Sequence, residues 1–391
     1  MKNNTLSLKL KLLYIAEFGA LACFFPFLTY YFQQRGLSYT EIGIAYAVTS
    51  ITTVIAQPVW GVITDKYLNK RTTIIIAMVI SSLAIYNFVY AKNFYYILFS
   101  LILLLSSQSS VISVSDAYTY EIMEHHKDIQ YGKIRLMGSV GFAFIILFLG
   151  VSIKYFGINS VFVLYSVIMF FGAMIVLSID YKDKSNIQKI DLLDIVSLIK
   201  DKRFFVFIVA IVFANIAMGS NNSYIYLLIK DTGGDVSQLG LLWFVLAISE
   251  LPLFFFGTNL LKKHGVLNLF IFGMVLLTLR YFLDSICTSF VYVIIVQAMQ
   301  GITFPLFFMA SLEYLNSITP RKMKTSAMSF FGAACGLGGF IGNISCGILL
   351  EHISIFSVYK IISFICVICL GFLIVLKNVD SREINTLRNR L

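Results

Sequence analysis

Charged residues are scarce in this chain of 391 residues, of which only 13% are Asp, Glu, Lys or Arg. A soluble chain of this length is expected to form about two or three domains and to have roughly a quarter of its residues charged. The scarcity therefore excludes a soluble enzyme. Proline is also rare, at five residues, and this rarity together with 59% hydrophobic residues excludes disordered and collagen-like chains. The remaining class is a protein whose solvent is a lipid bilayer.

Other features that the sequence lacks exclude further kinds of chemistry. The sequence contains no G-x-x-x-x-G-K-[ST] phosphate-binding loop, and no polar segment is long enough for a domain that hydrolyses ATP. The six cysteines lie in or beside apolar runs, so they indicate packing rather than an extracellular disulfide framework. His125 and His126 beside Glu124 are more typical of a wet surface than of a metal site. We therefore expect no enzymatic activity, no cofactor and no bound metal.

Twelve apolar runs are long enough to cross the hydrocarbon core of a membrane as helices, which requires about 20 residues each. The first run follows three lysines, as a signal peptide does, but it is too long and contains Glu17, so we expect it to be retained. The sequence thus predicts an all-α membrane protein with twelve spans. The predicted spans are Leu10–Phe32, Thr40–Thr64, Thr73–Tyr90, Tyr95–Ala117, Ile134–Ile153, Ile158–Ile179, Phe204–Ile229, Ser237–Leu260, Leu267–Leu283, Ser289–Leu312, Ser326–Leu350 and Ile355–Leu376.

The distribution of Lys and Arg among the loops tests the predicted number of twelve spans. Cytoplasmic loops carry an excess of Lys and Arg, and 24 of the 30 such residues fall in the two tails and the even-to-odd connections. That asymmetry would be lost if one span were miscounted, so both termini are expected to be cytoplasmic. The net charge of +10 is then a topology signal that also attracts anionic lipid, and it does not indicate nucleic acid as a partner.

The chain divides into two related halves. The polar segment 181–203 separates the sixth and seventh runs, which predicts an N-terminal six-helix bundle at 1–180, a cytoplasmic connector and a C-terminal bundle at 204–391. Within the connector, residues 187–200 have apolar positions at helical spacing. Gly36 recurs as Gly233 and TEIG at 40–43 recurs as SQLG at 237–240, both at an offset of 197. Parallel six-helix halves usually work by alternating access to a site near the midplane.

The turn between the second and third runs resembles the signature loop of the major facilitator superfamily, G-x-x-x-D-[RK]-x-G-[RK]-[RK]. Residues 61–71 read GVITDKYLNKR, with Leu68 in place of the usual glycine and Asn69 where a basic residue is common. The resemblance implies a conformational latch in which the glycine permits close helix contact and the aspartate caps or pairs with a neighbouring helix. The latch residues would be Gly61, Asp65, Lys66 and Arg71. The alternative is a solvated charge cluster that obeys the positive-inside rule.

A second segment points to a branch of that superfamily. Residues 131–142 read YGKIRLMGSVGF, which resembles the Y-G-[RK]-x-R-x-x-G-x-x-G segment that enters the fifth span in the lactose-permease and phenylpropionate-permease proton symporters. With the twelve spans and the duplication, the resemblance covers essentially the whole chain. It implies the major facilitator fold and solute transport coupled to protons.

Polar residues within the fourth run are candidates for solute binding. Ser109, Ser113, Asp116 and Tyr120 are spaced four, three and four apart, so they lie on one face of a helix. The resembling symporters use a carboxylate on the fourth span and an arginine on the fifth to hold their substrates, which implies such roles for Asp116 and Arg135. Arg135 at the membrane edge is equally consistent with a positive-inside anchor. The candidate substrate-binding residues are Asp116, Arg135, Ser113, Tyr120 and Asn215.

Carboxylates within the spans are candidates for carrying a proton, since charges there are costly. Glu250 lies about 13 residues into the eighth run, and Glu17 lies in the first. The similar symporters pair such a carboxylate with an arginine on the ninth span, which implies Arg280, although Asp284 one turn later could simply neutralise that arginine. The tenth run has Gln297 and Gln300 but no histidine, unlike those symporters.

These observations predict a proton-coupled importer of a small organic solute such as a sugar, a nucleoside or an aromatic acid. The expected partners are the solute, the proton and membrane lipid, and the protein is expected to be a monomer in the cell membrane. Two alternatives stay open. One is proton-coupled efflux of drugs or lipids on the same fold, favoured by 36 Phe and 12 Met, and the other is a membrane sensor that transports nothing.

Overall fold

The computed structural model describes residues 2–126, 128–179, 181, 201–320 and 323–388, and every regular element within these residues is a helix. One element, Phe25–Phe27, is a 3₁₀ helix that contains Pro26. The α-helices are Lys2–Phe24, Leu28–Gln34, Tyr39–Lys66, Lys70–Ala84, Asn87–Tyr90, Phe94–His125, Tyr131–Phe156, Asn159–Ser178, Lys202–Asp231, Val236–His264, Val266–Asp284, Phe290–Gln297, Gln300–Ile318, Lys324–Leu350 and Ile355–Arg388.

In the described part of the chain, twelve stretches are long and apolar enough to cross a membrane, which confirms the predicted number and order of spans. They are Thr5–Gln34, Tyr39–Thr64, Lys70–Tyr90, Phe94–His125, Tyr131–Phe156, Asn159–Ser178, Lys202–Asp231, Val236–Gly257, Val266–Asp284, Phe290–Ile318, Ser326–Leu350 and Ile355–Asp380. The fourth span continues beyond its predicted end at Ala117, because the helix persists through polar residues that hydropathy assigns to a loop. Three spans are broken, at Phe25–Phe27, Ile85–Tyr86 and Ala298–Met299.

The spans form two compact units. The first contains the described residues up to Tyr181 together with Gly234–Ala247, and the second contains residues 201–233 and the described residues from Ile248 onward. In the first unit the contacting pairs of spans include first with fifth, first with sixth, third with fourth and third with sixth. In the second unit the same pairs recur as seventh with eleventh, seventh with twelfth, ninth with tenth and ninth with twelfth. The bundle boundaries at 180 and 204 stay predictions, and the helix expected at 187–200 lies outside the described residues.

The sequence repeat at offset 197 is also a repeat of local structure. Gly36 and Gly233 both have positive φ, +76° and +88°, a region that favours glycine. Ser38 then caps the second span through a reciprocal capping box with Glu41, whose amide donates to the Ser38 hydroxyl at 3.2 Å. Before the eighth span, the Asp235 amide donates to Gln238 at 2.8 Å in the equivalent arrangement. The repeat therefore preserves the way in which the chain enters these two spans.

Gly233→Ala should lower stability, because a non-glycine residue at this φ costs about 1–2 kcal/mol. Gly132→Ala is the matched control, since Gly132 is helical and a methyl group there would meet no described residue within 4 Å. We expect a lower apparent melting temperature in detergent for Gly233→Ala and an unchanged or higher one for Gly132→Ala. Equal melting temperatures for the two variants would contradict this assignment.

Glycines of the eleventh span lie at a close helix crossing. A methyl group on Gly338 would come closer than 3.0 Å to the carbonyl oxygen of Val212, and one on Gly342 would do the same with Ile216. The eleventh span is therefore closely packed against the seventh. Among the described residues, no heavy atom lies within 4 Å of a methyl group added to Gly61. The close helix contact implied at Gly61 is thus not formed by the described residues, and the part of Gly61 in a latch stays a prediction.

Candidate functional site

The first unit holds a polar cluster between its first, fourth and fifth spans. The hydroxyl of Tyr14 donates to Asp116 Oδ1 at 2.5 Å, and the hydroxyl of Tyr131 donates to the same oxygen at 2.9 Å. Ser115 donates a hydrogen bond to Glu17 Oε1. Because Tyr14 and Glu17 are three residues apart on one helix face, two adjacent hydrogen bonds join the first span to the fourth. We call these five residues, Tyr14, Glu17, Ser115, Asp116 and Tyr131, the first-unit cluster.

The charges of the first-unit cluster are unequally buried. Glu17 is only 1% exposed, and its Oε2 atom has no hydrogen-bond partner within the described residues. Asp116 is half-buried. The guanidinium of Arg135 lies 4.0 Å from the centre of the Phe18 ring and is close enough to interact electrostatically with Glu17. The structure thus brings the predicted carboxylate of the fourth span and the predicted arginine of the fifth to one site, and it adds Glu17 to them.

An aromatic surface borders this cluster. The rings of Tyr120 and Tyr131 are stacked, with centroids 4.5 Å apart and an angle of 20° between their planes. Tyr120 is 52% exposed, so one face of the pair is open. A flat aromatic face beside a carboxylate suits a ring that carries hydroxyl groups, because the ring stacks while the carboxylate accepts its hydrogen bonds.

Two other predicted binding residues are not members of the first-unit cluster. Ser113 is exposed on the fourth span. Asn215 donates to the carbonyl oxygen of Ile211 in its own helix at 2.9 Å, and it packs where Gly338 of the eleventh span approaches the seventh. Helical spacing placed Ser113 on the same face as Asp116, but spacing alone does not show which part of that face is lined by other spans.

In the second unit, Glu250 of the eighth span accepts a hydrogen bond from Gln300 of the tenth at 2.9 Å. Glu250 is half-buried. The count of residues along the span measured depth in the membrane, whereas exposure depends on which side of the helix the residue occupies. Its role in proton coupling stays a prediction.

The second unit also encloses a polar network on its seventh, ninth, tenth and twelfth spans. Gln297 donates to Asp284 Oδ2 at 2.8 Å and to Asn221 Oδ1 at 2.9 Å, and Tyr359 donates to that same Asn221 oxygen at 2.9 Å. Arg280 donates to the hydroxyl of Thr303 at 3.0 Å and lies over the ring of Tyr281. We call Asn221, Arg280, Asp284, Gln297 and Tyr359 the second-unit network, and each of the five is at most 2% exposed.

Arg280 and Asp284 are one helical turn apart, yet within the described residues they form no ion pair shorter than 4.0 Å. Each charge is hydrogen-bonded to neutral side chains instead. Asp284 still interacts electrostatically with Arg280, so the alternative that Asp284 neutralises Arg280 stays open. The tenth span presents a neutral hydrogen-bond partner to each of them.

The predicted latch is only partly described. Asp65 lies in the helix Tyr39–Lys66, but its side chain is outside the described part of the structure, and Lys66 is exposed. Arg71 donates to the carbonyl oxygens of Val176 and Leu177, at 3.3 and 2.5 Å. These carbonyls lie in the last turn of the sixth span, where a cation is favourable. In this structure Arg71 therefore acts as a helix cap.

The cysteines have surroundings typical of packing residues. Five of the six are buried, and Cys369 donates to the carbonyl oxygen of Ala210. Cys287 lies between the ninth and tenth spans, where burial and the nearby Asp284 charge raise the pKa of its thiol to about 11. It is consequently protonated near pH 7 and a weak nucleophile. Within the described residues, no group of His, Cys, Asp and Glu could hold a metal ion.

The neutral partners of the charges were not among the residues predicted from the sequence. Tyr14, Ser115 and Tyr131 bind the carboxylates of the first unit, and Asn221 and Tyr359 complete the network of the second. Their residue types are common in any membrane helix, and no local signal distinguishes them. One available signal was the position of Ser115 next to Asp116, which places a donor beside the predicted carboxylate.

Twelve spans in two repeated units, with polar clusters enclosed within each, define a solute transporter of the major facilitator type. The MFS_1 like family model matches residues 7–361, so the chain belongs to that family. It is therefore a multi-pass membrane transporter and not an enzyme.

Characterised and uncharacterised relatives support this membership. The chain is 26% identical to the uncharacterised transporter YwbF of Bacillus subtilis, over 96% of this chain and 94% of that protein. It is 28% identical to the maltose permease of Geobacillus stearothermophilus, over 93% and 92% of the two chains. Among solved structures, it resembles a mutant of the nucleoside transporter NupG, with a TM-score of 0.86, 17% identity and coverage of 95% of this chain and 99% of that one. The likeness to NupG confirms the fold.

Proposed function

We propose that the protein is a proton-coupled symporter that imports a small neutral solute rich in hydroxyl groups, such as a sugar or a nucleoside, by alternating access. The single observation that carries this proposal is the first-unit cluster with its stacked Tyr120. A half-buried carboxylate, two tyrosine hydroxyls and an open aromatic face match a hydroxylated ring. A maltose permease and a nucleoside transporter are among the proteins that this chain resembles.

The charges of the first-unit cluster disfavour an aromatic acid, which the sequence had left as a third option. Glu17 and Asp116 are accompanied by one guanidinium, that of Arg135. When Glu17 and Asp116 are both ionised, a further carboxylate would meet two like charges and one opposite charge, and like charges in a site of low dielectric constant repel strongly. A neutral solute avoids that repulsion.

Proton coupling is proposed because the spans contain carboxylates beside hydrogen-bonding partners, with Glu250 and Glu17 as the proton-carrying candidates and Arg280 as a modulating charge. One proton moving down roughly 100 mV and one pH unit provides about 3.7 kcal/mol. That free energy supports a solute accumulation of a few hundredfold. One carboxylate is therefore sufficient, and we propose that the protein works as a monomer in the cell membrane.

The test is solute-induced proton uptake in right-side-out membrane vesicles, across a panel of sugars and nucleosides. We expect an inward proton flux with at least one solute and its loss in Glu250→Gln or Glu17→Gln, because a glutamine cannot carry the proton. Glu124→Gln is the matched control, since Glu124 is exposed at the inner end of the fourth span.

Each contrary outcome points to a different function. Outward solute movement driven by the proton gradient would favour efflux. No solute flux in either direction, with normal amounts of protein in the membrane, would favour a sensor. Solute flux without proton movement in the native chain would show that another ion or no ion is coupled.

A further inference from the structure

The tenth span carries three neutral polar side chains at a spacing of three residues, and each binds a different charged residue of the second unit. Gln297 donates to Asp284 at 2.8 Å, and Gln300 donates to Glu250 at 2.9 Å. Thr303 accepts from Arg280 at 3.0 Å. We call Gln297, Gln300 and Thr303 the tenth-span stripe. It connects residues of the eighth and ninth spans that are not neighbours in sequence.

The stripe coincides with the break in the tenth span. The helix ends at Gln297 and resumes at Gln300, and the amides of Met299, Gly301 and Ile302 donate to carbonyls three residues earlier, at 3.0 to 3.1 Å. Hydrogen bonds of this 3₁₀ type align every third residue on one face, and a 3₁₀ stretch within a helix often marks a hinge. The local backbone therefore explains why the stripe residues point to the same side.

A close crossing holds this segment against the eighth span. A methyl group on Gly301 would come closer than 3.0 Å to the backbone of Ser249, the residue before Glu250. The glycine thus allows the backbone approach that places Gln300 within hydrogen-bond distance of Glu250. On the other side, Arg280, Asp284, Gln297 and Thr303 are each at most 2% exposed, so water does not replace a lost partner there.

This arrangement makes the partners of the charges interdependent. A buried charge that loses its hydrogen-bond partner is strongly destabilised. Rotation or straightening of the tenth-span stripe would remove Gln297, Gln300 and Thr303 from their partners together. Conversely, a change in charge on Glu250 alters the free energy by which its hydrogen bond with Gln300 holds the stripe in place. The titratable groups around it include Glu250 on the eighth span, Arg280, Tyr281 and Asp284 on the ninth, Cys287 just after the ninth, Cys346 on the eleventh, and Tyr359 and Cys366 on the twelfth.

We propose that the tenth-span stripe is the coupling element of the second unit, with Gln297, Gln300 and Thr303 as positioning residues that link the charge on Glu250 to movement at the break. The inference rests on the proposed proton-coupled transport. It assigns the coupling of proton and solute movement to neutral side chains, and it adds Asp284 as the buried anchor of the hinge.

The first test separates coupling from folding. Solute exchange across the membrane needs binding and movement but no net proton transfer, whereas accumulation against a gradient needs both. In Gln300→Leu and Thr303→Val we expect accumulation to fall by at least roughly tenfold, because a hydrogen bond to a charge is lost. Exchange should stay within about twofold of the native rate. Thr303→Ser keeps the hydroxyl and should restore accumulation.

Two results would overturn the proposal. One is a parallel fall of exchange and accumulation in proportion to the amount of folded protein, which is what a structural role predicts. The other is native accumulation in both variants. A chain with no solute flux at all would instead contradict the proposed function.

The second test needs no solute. The substitution Glu250→Gln should raise the rate of amide hydrogen exchange at residues 298–302 by about threefold or more. The reason is that it weakens the amide–carboxylate hydrogen bond that stabilises the break. Glu124→Gln should leave those amides unchanged. Identical exchange in Glu250→Gln and the native chain would overturn the link between Glu250 and the break, whatever the solute.

Discussion

Asp116→Asn is expected to weaken solute binding by about 3- to 12-fold. A hydrogen bond to a charged group contributes about 1.5–3 kcal/mol, roughly twice a neutral one, and the substitution removes the charge while keeping the shape of the side chain. The hydroxyls of Tyr14 and Tyr131 can still donate to the amide oxygen of the new side chain, so the fold should persist. Equilibrium binding of a transported sugar or nucleoside to purified protein measures the effect.

The control for this substitution is Asp128→Asn, which makes the same chemical change in the exposed connection after the fourth span. We expect native affinity in that variant. If Asp116→Asn also bound the solute with native affinity, the first-unit cluster would not be the binding site, and the stack of Tyr120 on Tyr131 would be ordinary packing.

Gly301→Ala should have the largest effect on folding. The added methyl group would overlap the carbonyl group of Ser249, and two backbones at a helix crossing cannot move aside as a flexible side chain can. Overpacking of this kind typically costs about 1–3 kcal/mol. We expect a lower apparent melting temperature and less monodisperse protein on size-exclusion chromatography in detergent.

Gly332→Ala provides the comparison for Gly301→Ala. Gly332 lies in the helix Lys324–Leu350, and a methyl group there would meet nothing within 4 Å in the described part of the chain. It should therefore be neutral or slightly stabilising, as alanine is favoured over glycine in a helix. A native melting temperature for Gly301→Ala would show that the eighth and tenth spans are less closely packed than the structure indicates.

The spans were predictable because two strong signals act together. Length and hydropathy determine which segments can cross a bilayer. The distribution of Lys and Arg between alternate loops then tests the number of spans. The repeat of Gly36 as Gly233 was readable for a related reason, since a positive φ restricts the residue type at both positions. Such features depend on a residue and its near neighbours only.

The candidate site was predictable only in part. Asp116 and Arg135 were found because charges are costly within a span and because a motif surrounds one of them. The hydrogen bond between Asn221 and Gln297 joins residues 76 positions apart, and it depends on the rotation of two helices about their axes, which hydropathy does not encode. The exposure of Glu250 was not predictable for the same reason.

Because neutral side chains of the tenth span form the hydrogen bonds to Arg280 and Asp284, these two charges also affect how the chain enters the membrane during synthesis. Both charges lie in the last five residues of a span of only 19 residues, and a charge opposes insertion by about 2.5–3.5 kcal/mol at the centre of a span and by less near its end. Their partners Thr303 and Gln297 belong to the next span to emerge from the ribosome. We therefore expect the ninth span to insert more efficiently together with the tenth, as one hairpin, than alone.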